Sequence, residues 1–271
     1  RRGAASHGSW RCRLPMTVGR TPTARGMISD AASAPEAEWC LLSIADITCA
    51  FLHGDMVGEG EVFLILPEDM CPPGYRARLR AALYGIRRAS YLWGECAARA
   101  MVAEGFVRSK SCPQFFFHRQ RPIQSLVHGD DFFSTAPAKD DHDWLAAIFA
   151  KHFKLKEFTV VGPCECAEGS FLSRQILYIS QVGYEYYPDG RHIQRSGEAY
   201  GLQDTKPVAA PMVKDGGLKL GDALDELEPP VARLYAQEVG RMLYVAADRY
   251  DIMYAVRVLA QSISRPRQID E

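Results

Sequence analysis

The amino-acid sequence predicts an α+β fold in which an antiparallel sheet carries its helices on one face. Three observations support this prediction. Between residues 41 and 153, strand-like and helix-like segments follow in the order strand, strand, helix, strand, strand, helix. Two of these strands are separated only by a short turn, as in a β-hairpin. The chain has 271 residues, 47% of them hydrophobic, which is enough for one large domain or two small ones with a substantial core.

The first three elements are predicted before residue 105. A run of mainly aliphatic residues at 41–46 predicts a strand that ends in an acid, Asp46. A second short strand is expected at 61–66 and stops at Pro67. One apolar stripe at helical spacing predicts the helix that follows. This stripe consists of Trp93, Cys96, Ala97, Ala100 and Met101.

The elements that follow this helix include an acidic hairpin. A strand is predicted to begin at 115–117, and the segments 123–127 and 132–136 predict the two strands of a hairpin. The turn is His128-Gly129-Asp130-Asp131, so both carboxylates stand at its tip. The following helix, at about 139–153, has acidic residues in its first turn, which favours a helix N-terminus.

The flanking parts of the chain predict less. Residues 1–32 show no apolar periodicity and are predicted to form a poorly ordered arm or a truncated element. Further strands are predicted at 171–179, 183–187 and 192–194, a linker at 214–230, and two closing helices. The stripes of these helices are Tyr235, Val239, Met242 and Leu243, then Ile252, Ala255, Val256 and Leu259.

Composition excludes several classes of protein. No run approaches the ~20 apolar residues of a membrane span, and the first 32 residues lack the apolar stretch of a signal peptide. The eight cysteines are scattered and form no paired CxxC set, which favours free thiols in a reducing compartment. The net charge of −1 is uneven: residues 74–121 contain ten basic and two acidic residues. This segment is either a polyanion-binding surface or a solvated face.

The acidic turn itself has two interpretations. Gly-Asp-Asp is good turn chemistry, and it is also a set of hard oxygen donors for Mg²⁺. Asp46 favours the second interpretation. If its strand lies beside the hairpin, Asp46 would face Asp130 although 84 positions separate them in the sequence. Carboxylates that converge from adjacent strands can bridge two metal ions.

Several segments resemble, in the same order, the motifs of copia-type retrotransposon reverse transcriptases. Asp46-Ile47-Thr48-Cys49-Ala50-Phe51-Leu52-His53-Gly54-Asp55 is similar to the first catalytic motif, and Val127 to Asp131 stands where the family has an aromatic-X-Asp-Asp box. The other matching segments are 82–89 followed by Trp93, 105–113, 206–212, 240–246 and 251–256. The resemblance covers about residues 41–265.

The resemblance implies a palm-like antiparallel sheet followed by a smaller connection-like α/β and helical segment. It implies that Asp46, Asp130 and Asp131 are catalytic and hold two Mg²⁺ or Mn²⁺ ions. It also implies a nucleotide site and basic contacts to nucleic acid. The nucleotide-binding residues would be Phe51, Tyr84 and Gly85, and the nucleic-acid-binding residues Arg78, Arg80, Arg87 and Arg88.

The same resemblance implies partners and an organisation for the chain. The partners would be an RNA or DNA template, a DNA primer, a deoxynucleoside triphosphate, and the integrase and ribonuclease H segments of a full-length element. The location would be intracellular, in a cytoplasmic virus-like particle or in the nucleus. The expected segments of this chain, truncated at both ends, are an arm or fingers remnant (1–40), a palm-like core (41–160), the end of the palm with thumb-like strands (161–213), and a linker with connection-like helices (214–271).

The sequence also departs from the family pattern. His128 and Gly129 replace the usual aromatic residue and its small apolar neighbour, and Ser90 stands where the family has proline. Two alternatives to a polymerase therefore stay open. One is an inactive, decayed or domesticated fragment that keeps the fold and binds nucleic acid. The other is a metal-dependent phosphohydrolase, for which His53 and His118 are candidate bases by residue type alone.

Overall fold

The structure, a computed structural model, describes residues 20–33, 40–56, 60–67, 69–206 and 225–267. The chain divides into two compact units. The described residues of the first unit are those up to Leu172 together with Ile176–Tyr186. Those of the second unit are Ser173–Gln175 and the part of the chain from Tyr187 onward.

A six-stranded antiparallel sheet forms the centre of the first unit. Its strands are β1 (Leu41–Ile47), β4 (Phe106–Arg108), β5 (Phe115–His118), β6 (Gln124–His128), β7 (Asp131–Ala136) and β8 (Leu155–Val161). They lie in the order β4-β5-β6-β7-β1-β8, which puts β1 between the hairpin strand β7 and the last strand. A separate two-stranded sheet joins β2 (Phe63–Leu64) to β3 (Ala77–Arg78). The predicted β1 and the β6–β7 hairpin are confirmed, whereas β4 and β8 were not predicted.

Two helices cover one face of the central sheet. They are α2 (Ala89–Ala103) and α3 (Lys139–His152), and both were predicted. Their apolar stripes meet the sheet in a core that contains Trp93, Phe132 and Phe149, each at most 2% exposed. Phe132 and Phe149 lie with their ring centroids 4.4 Å apart. Burying large aromatic side chains in this way supplies the main driving force for folding.

The opposite face of the sheet is covered as well. Side chains alternate along a strand, so Phe133 points away from Phe132 and into a second core. This core is closed by α1 (Arg20–Ala31) and by a three-stranded sheet of β9 (Glu168–Phe171), β10 (Arg174–Ile179) and β11 (Gly183–Tyr187). The prediction that helices lie on one face only is therefore wrong, because α1 packs on the other face.

The helix α1 also corrects the expectation of an unstructured arm for the part of residues 1–32 that the structure describes. Its buried residues are Ala24, Met27, Ile28 and Ala31. These stand at i, i+3, i+4 and i+7, which is one face of a helix. The signal was present in the sequence, but small residues and a helix-breaking glycine nearby made it weak.

The second unit is mainly helical. It contains α4 (Arg191–Ala199), α5 (Pro229–Ala246) and α6 (Tyr250–Gln261). The two closing helices were predicted, and the Tyr235 hydroxyl of α5 donates to the Leu259 carbonyl of α6 at 2.7 Å. The strand predicted at 192–194 is wrong, because these residues belong to α4. Most of the predicted linker lies outside the described residues. Among the described helices, none is long and apolar enough to cross a bilayer.

Candidate active site

The acids meet where β1 and β7 pair. The antiparallel register puts Asp46 opposite Asp131. At the next position the Ile47 amide donates to the Asp130 carbonyl at 3.0 Å, which marks a hydrogen-bonded pair. Such pairs alternate with non-hydrogen-bonded ones, so Asp46 and Asp131 form a non-hydrogen-bonded pair, the type in which side chains lie closest. The expectation that Asp46 faces Asp130 is thus wrong by one residue: its cross-strand partner is Asp131, and Asp130 is exposed in the turn.

The turn that carries Asp130 needs a glycine. Gly129 has φ 63°, whereas Asp130 does not have a positive φ. This pattern, with glycine at the first central position of a two-residue loop, is that of a type II′ hairpin turn. The replacement of the family's small apolar residue by Gly129 is therefore compatible with a tight hairpin.

Trp93 fixes this turn from the helix α2. Its indole Nε1 donates to the Gly129 carbonyl at 2.5 Å, and its ring is buried. The ring packs edge-on against Phe132 and Phe153, with centroid distances of 6.4 Å and 5.1 Å. Sequence analysis identified Trp93 as part of an apolar stripe and of a family motif, but not as a hydrogen-bond donor to the acidic turn. Nothing in the helical spacing indicates which carbonyl an indole reaches.

The electrostatic cost of this arrangement falls on Asp131. Burial raises the pKa of Asp131 to about 6, and the charges of Asp130 and Asp46 act in the same direction. The ammonium group of Lys156 opposes this effect. Like charges directly opposite one another destabilise a sheet, so the three acids are held together against their mutual repulsion.

Lys156 is the site residue that sequence analysis missed. Its Nζ lies 2.5 Å from Asp46 Oδ2 in an ion pair. Lys156 belongs to β8, a strand that the sequence did not predict, and it comes 110 positions after Asp46. No pattern in the sequence indicates that these two side chains meet.

The predicted nucleotide-binding residues lie beside the acids. Phe51 is in a short 3₁₀ helix (Ala50–His53) that follows β1. Its ring lies 4.5 Å from that of Tyr84, centroid to centroid, with an interplanar angle of 33°. Partial desolvation raises the pKa of Tyr84 although 53% of the residue is exposed, and the charges of Asp130 and Asp46 raise it further, which places this phenol within electrostatic range of the acids. Gly85 adopts φ 97°, a conformation that side-chain-bearing residues rarely take.

The tight approach of the 3₁₀ helix to α2 depends on another glycine. A Cβ on Gly54 would lie 3.0 Å from the backbone of Leu92 and of Trp93. Gly54 therefore lets the segment after Phe51 rest directly on the helix that holds the acidic turn. The family-like motif 46–55 is thus coupled to Trp93 by packing.

The four predicted nucleic-acid contacts are all exposed, but they differ in what they contact. Arg78 forms an ion pair with Glu61 at 3.0 Å. The guanidinium of Arg88 lies over the Tyr91 ring, 4.9 Å from its centroid. Arg80 follows β3, and Arg87 lies in the loop before α2. Arg78 and Arg80 thus belong to one surface segment and Arg87 and Arg88 to another.

The acids have the right chemistry for a metal, but their side chains are not gathered on one point. Carboxylates are the preferred ligands of Mg²⁺. Across the described ranges, no group of three or more His, Cys, Asp or Glu side chains is arranged to hold a metal ion. Asp46 does hold a cation, the ammonium of Lys156. Asp46, Asp130 and Asp131 therefore have the donor chemistry that a divalent cation prefers, but their side chains do not converge on one position and Asp46 is engaged by Lys156.

The histidines suggested for a phosphohydrolase serve other contacts. His118 Nε2 lies 3.0 Å from the Glu104 carbonyl, and its Nδ1 accepts from the Arg121 amide at 2.9 Å. The His53 ring packs against Trp93 and Phe153. These contacts do not favour either histidine as a general base. The seven cysteines in the described part of the chain are free thiols.

Comparison with known proteins extends these observations. No protein-family model matches the chain. The chain is 27% identical over 232 residues to the retrovirus-related Pol polyprotein from transposon RE2 of Arabidopsis thaliana, and 26% identical over 235 residues to that from transposon RE1. Each match covers 82% of this chain, and the chain spans 15% of the length of each relative.

Two solved structures are also similar in part. They are an apo telomerase from Candida tropicalis, truncated from its C-terminal domain, and a telomerase from Candida albicans in complex with a TWJ fragment of telomeric RNA. The TM-scores are 0.36 and 0.40, each at 10% sequence identity. The matches cover 60% of this chain and 38% of the first structure, and 88% and 44% for the second. Similarity at these scores is not evidence of a shared fold.

The curated relatives bear directly on the resemblance found in the sequence. They match over most of the chain rather than at isolated motifs. The predicted resemblance is therefore confirmed: this chain is similar to one region of retrotransposon Pol polyproteins.

Proposed function

We propose that this chain is the reverse transcriptase region of a copia-type Pol polyprotein and extends a DNA primer by template-directed nucleotidyl transfer. One observation carries the proposal. The β1–β7 register puts Asp46 and Asp131 opposite one another, next to Asp130, in a chain similar over 82% of its length to Pol polyproteins. In this proposal the central sheet and its helices are a polymerase palm, and the second unit is connection-like.

The acids have a defined task in this proposal. Asp46, Asp130 and Asp131 would hold two Mg²⁺ or Mn²⁺ ions. Ions bound there would supply activation of an attacking hydroxyl and charge neutralisation at the leaving phosphate. Burial raises the pKa of Asp131 and the charges of Asp130 and Asp46 raise it further, so a divalent cation bound there would relieve a repulsion that the protein already contains.

The aromatic pair beside the acids has the task of positioning a nucleotide. The rings of Phe51 and Tyr84 lie 4.5 Å apart, centroid to centroid, and are tilted by 33°, so Tyr84 supports one side of the Phe51 ring. A ring held in this way excludes a ribose 2′-hydroxyl by steric contact and admits a deoxyribose. Tyr84 and Gly85 contact the nucleotide and the template, with the Gly85 backbone able to approach closely because it has no side chain.

The arginines have the task of binding the nucleic-acid backbone. Arg78, Arg80, Arg87 and Arg88 are exposed and contact phosphates of the template and primer. Such contacts are independent of sequence and weaken as salt concentration rises. The template is RNA or DNA, and the primer is DNA. Integrase and ribonuclease H functions belong to other segments of the element, and the reaction takes place inside the cell, in a cytoplasmic particle or the nucleus.

A second candidate function is a folded region that binds nucleic acid without synthesis, as in an inactive or domesticated copy. Two observations favour it. No three acidic or imidazole side chains in the described residues are arranged around one metal position, and Asp46 is engaged by Lys156. Both candidates use the four exposed arginines to bind nucleic acid, and they differ in whether the acids catalyse a reaction.

A primer-extension assay separates the candidates. With a primed RNA template, deoxynucleoside triphosphates and Mg²⁺ or Mn²⁺, we expect extension that falls by at least about 100-fold in Asp130→Asn, because a charge aimed at the transition state is removed. Asp140→Asn is the matched control, since Asp140 is an exposed acid in the first turn of α3. It is expected to retain activity.

The opposite result has a clear form. If the folded chain gives no template-dependent extension, even when joined to the upstream part of a related Pol, the polymerase proposal is wrong. Fluorescence anisotropy with a labelled oligonucleotide then tests the second candidate. Salt-sensitive binding that weakens in a variant with Arg87 and Arg88 both changed to Gln would support it.

A further inference from the structure

Lys156 is placed by an irregularity in the sheet. Where β1 pairs with β8, Asp46 is opposite Glu157 and Ile47 is opposite Leu155, with a shift of register between them. Lys156 is therefore the extra residue of a β-bulge. Bulges bend a strand and redirect a side chain, and they are frequent beside active sites. Here the bulge directs Lys156 to Asp46.

The contact is close but exposed. Lys156 Nζ lies 2.5 Å from Asp46 Oδ2, and the two side chains are 63% and 28% exposed. Solvent screens such a pair, so it is exchangeable rather than locked. Lysine carries a positive charge at neutral pH, so the group beside Asp46 is a cation. A cation is thus held loosely at one end of the carboxylate cluster.

The same contact is consistent with the open arrangement of the acids. A carboxylate that accepts from an ammonium directs an oxygen toward that ammonium. Asp46 is therefore turned to Lys156 in β8, while Asp131 lies across from it in β7. This agrees with the finding that no three potential metal-binding side chains in the described ranges converge on one position.

We propose that Lys156 is a displaceable cation that occupies the Asp46 end of the metal site and must leave Asp46 when a divalent ion binds. Lys156 thereby sets the metal affinity of the site without being a ligand. This inference rests on the proposed function, because it takes Asp46 as a metal ligand. It makes Lys156 a positioning residue that competes with the ion.

Direct measurement of metal binding tests this inference. Free Mn²⁺ is followed by electron paramagnetic resonance as it is titrated into the intact chain and its variants. We expect Lys156→Met to bind Mn²⁺ about two- to fivefold more tightly, since an exposed ion pair no longer competes. Lys156→Arg keeps the charge and is expected to stay within about twofold of the unchanged protein.

Lys139→Met is the matched control. Lys139 also pairs with an aspartate, Asp143, but on the surface of α3. Its removal is expected to leave Mn²⁺ affinity unchanged. Circular dichroism establishes that each variant is folded, which exposed positions such as Lys156 and Lys139 should allow.

The outcomes separate this inference from the proposed function. If Asp46→Asn abolishes Mn²⁺ binding but Lys156→Met leaves the affinity unchanged or weakens it, Lys156 does not compete with the ion and the inference is overturned, while the metal site stands. If Asp46→Asn leaves Mn²⁺ binding intact, the metal site itself is wrong and the inference falls with it. If Mn²⁺ binds more tightly to Lys156→Met but not to Lys156→Arg or Lys139→Met, the result supports both the metal site and the competition by Lys156.

Discussion

Two ion pairs in this molecule use the same chemistry in opposite surroundings. In the first unit, the pair of Lys156 and Asp46 has side chains 63% and 28% exposed. In the second unit, the pair of Arg174 and Asp248 has side chains 4% and 1% exposed. The first pair lies beside two further carboxylates, Asp130 and Asp131. The second is closed by its own hydrogen bonds.

The buried pair is geometrically complete. Arg174 donates to Asp248 Oδ2 through Nε at 3.1 Å and through Nη2 at 2.9 Å. Its Nη1 donates to the Tyr244 hydroxyl, and the guanidinium carbon lies 4.4 Å from the centroid of the Tyr244 ring. A planar guanidinium that donates several hydrogen bonds at once holds the groups around it in one geometry. The Lys156 ammonium is exposed and lies on a partly buried acid, and in our proposal it exchanges there with a divalent cation.

The largest effect on stability is expected from breaking the buried pair. Arg174→Met leaves the Asp248 carboxylate buried without the Arg174 guanidinium, which costs about 3–5 kcal/mol. Urea unfolding followed by circular dichroism measures this loss. Adding Asp248→Leu should recover most of it, because an apolar pair removes the uncompensated charge.

The exposed pair of Arg249 and Asp251 provides the control for this prediction. Arg249 donates to Asp251 through Nε at 2.8 Å, and the two side chains are 47% and 58% exposed. Arg249→Met should leave the unfolding midpoint nearly unchanged. A similar loss in Arg174→Met and Arg249→Met would mean that burial does not distinguish the two kinds of pair.

The parts of this fold that were predicted are those encoded locally. The stripe of Trp93, Ala97 and Met101 gives a helix from spacing alone, and the Gly-Asp pair gives a hairpin from turn chemistry. The helix α1 was missed because its stripe is made partly of alanines, which are only weakly hydrophobic. The segment 192–194 was misassigned because three residues do not define a period.

The sequence predicted which acids lie near one another but not how they pair, and their catalytic role stays a prediction. Asp46, Asp130 and Asp131 are brought together, yet the partner of Asp46 is decided by register, which shifts by one residue without any change in composition. Lys156 was missed because a bulge is a property of two strands at once. The motif resemblance named the acids and not the cation that one of them holds.

The next largest effect concerns Asp131, the carboxylate across from Asp46 in the exposed pair. The pKa of Asp131 in the folded state is about 6, above the ordinary 3.8, so between these pH values the folded state binds more protons than the unfolded state. Protonated Asp131 therefore favours the folded state, and this contribution to stability is lost as pH rises through about 6. Asp131→Asn removes this penalty. Because one pKa unit corresponds to about 1.4 kcal/mol, we expect a gain of about 1–2 kcal/mol at pH 7.5 after solvent screening.

The pH dependence distinguishes this cause from others. Thermal unfolding at a series of pH values should show the gain of Asp131→Asn shrinking as pH falls from 7.5 toward 4, where the unchanged Asp131 is protonated when folded. A gain that is the same at all pH values would mean that repulsion among the acids is not its source. The variant is also expected to lose Mn²⁺ affinity, so that stability and binding change in opposite directions.

The smallest effect tests the turn that presents Asp130. Gly129 and Gly94 both have open space where a Cβ would be placed, so substitution by alanine differs only in backbone conformation. Gly129 has φ 63°, where alanine is strained by about 1 kcal/mol, whereas Gly94 lies inside α2, where alanine stabilises a helix by about 0.5–1 kcal/mol. Urea unfolding should therefore give opposite signs for Gly129→Ala and Gly94→Ala. If Gly129→Ala is neutral, the turn does not need its left-handed conformation. The position of Asp130 would then be set by the Trp93 hydrogen bond to the turn and by the pairing of β7 with β1, and not by the backbone conformation of Gly129.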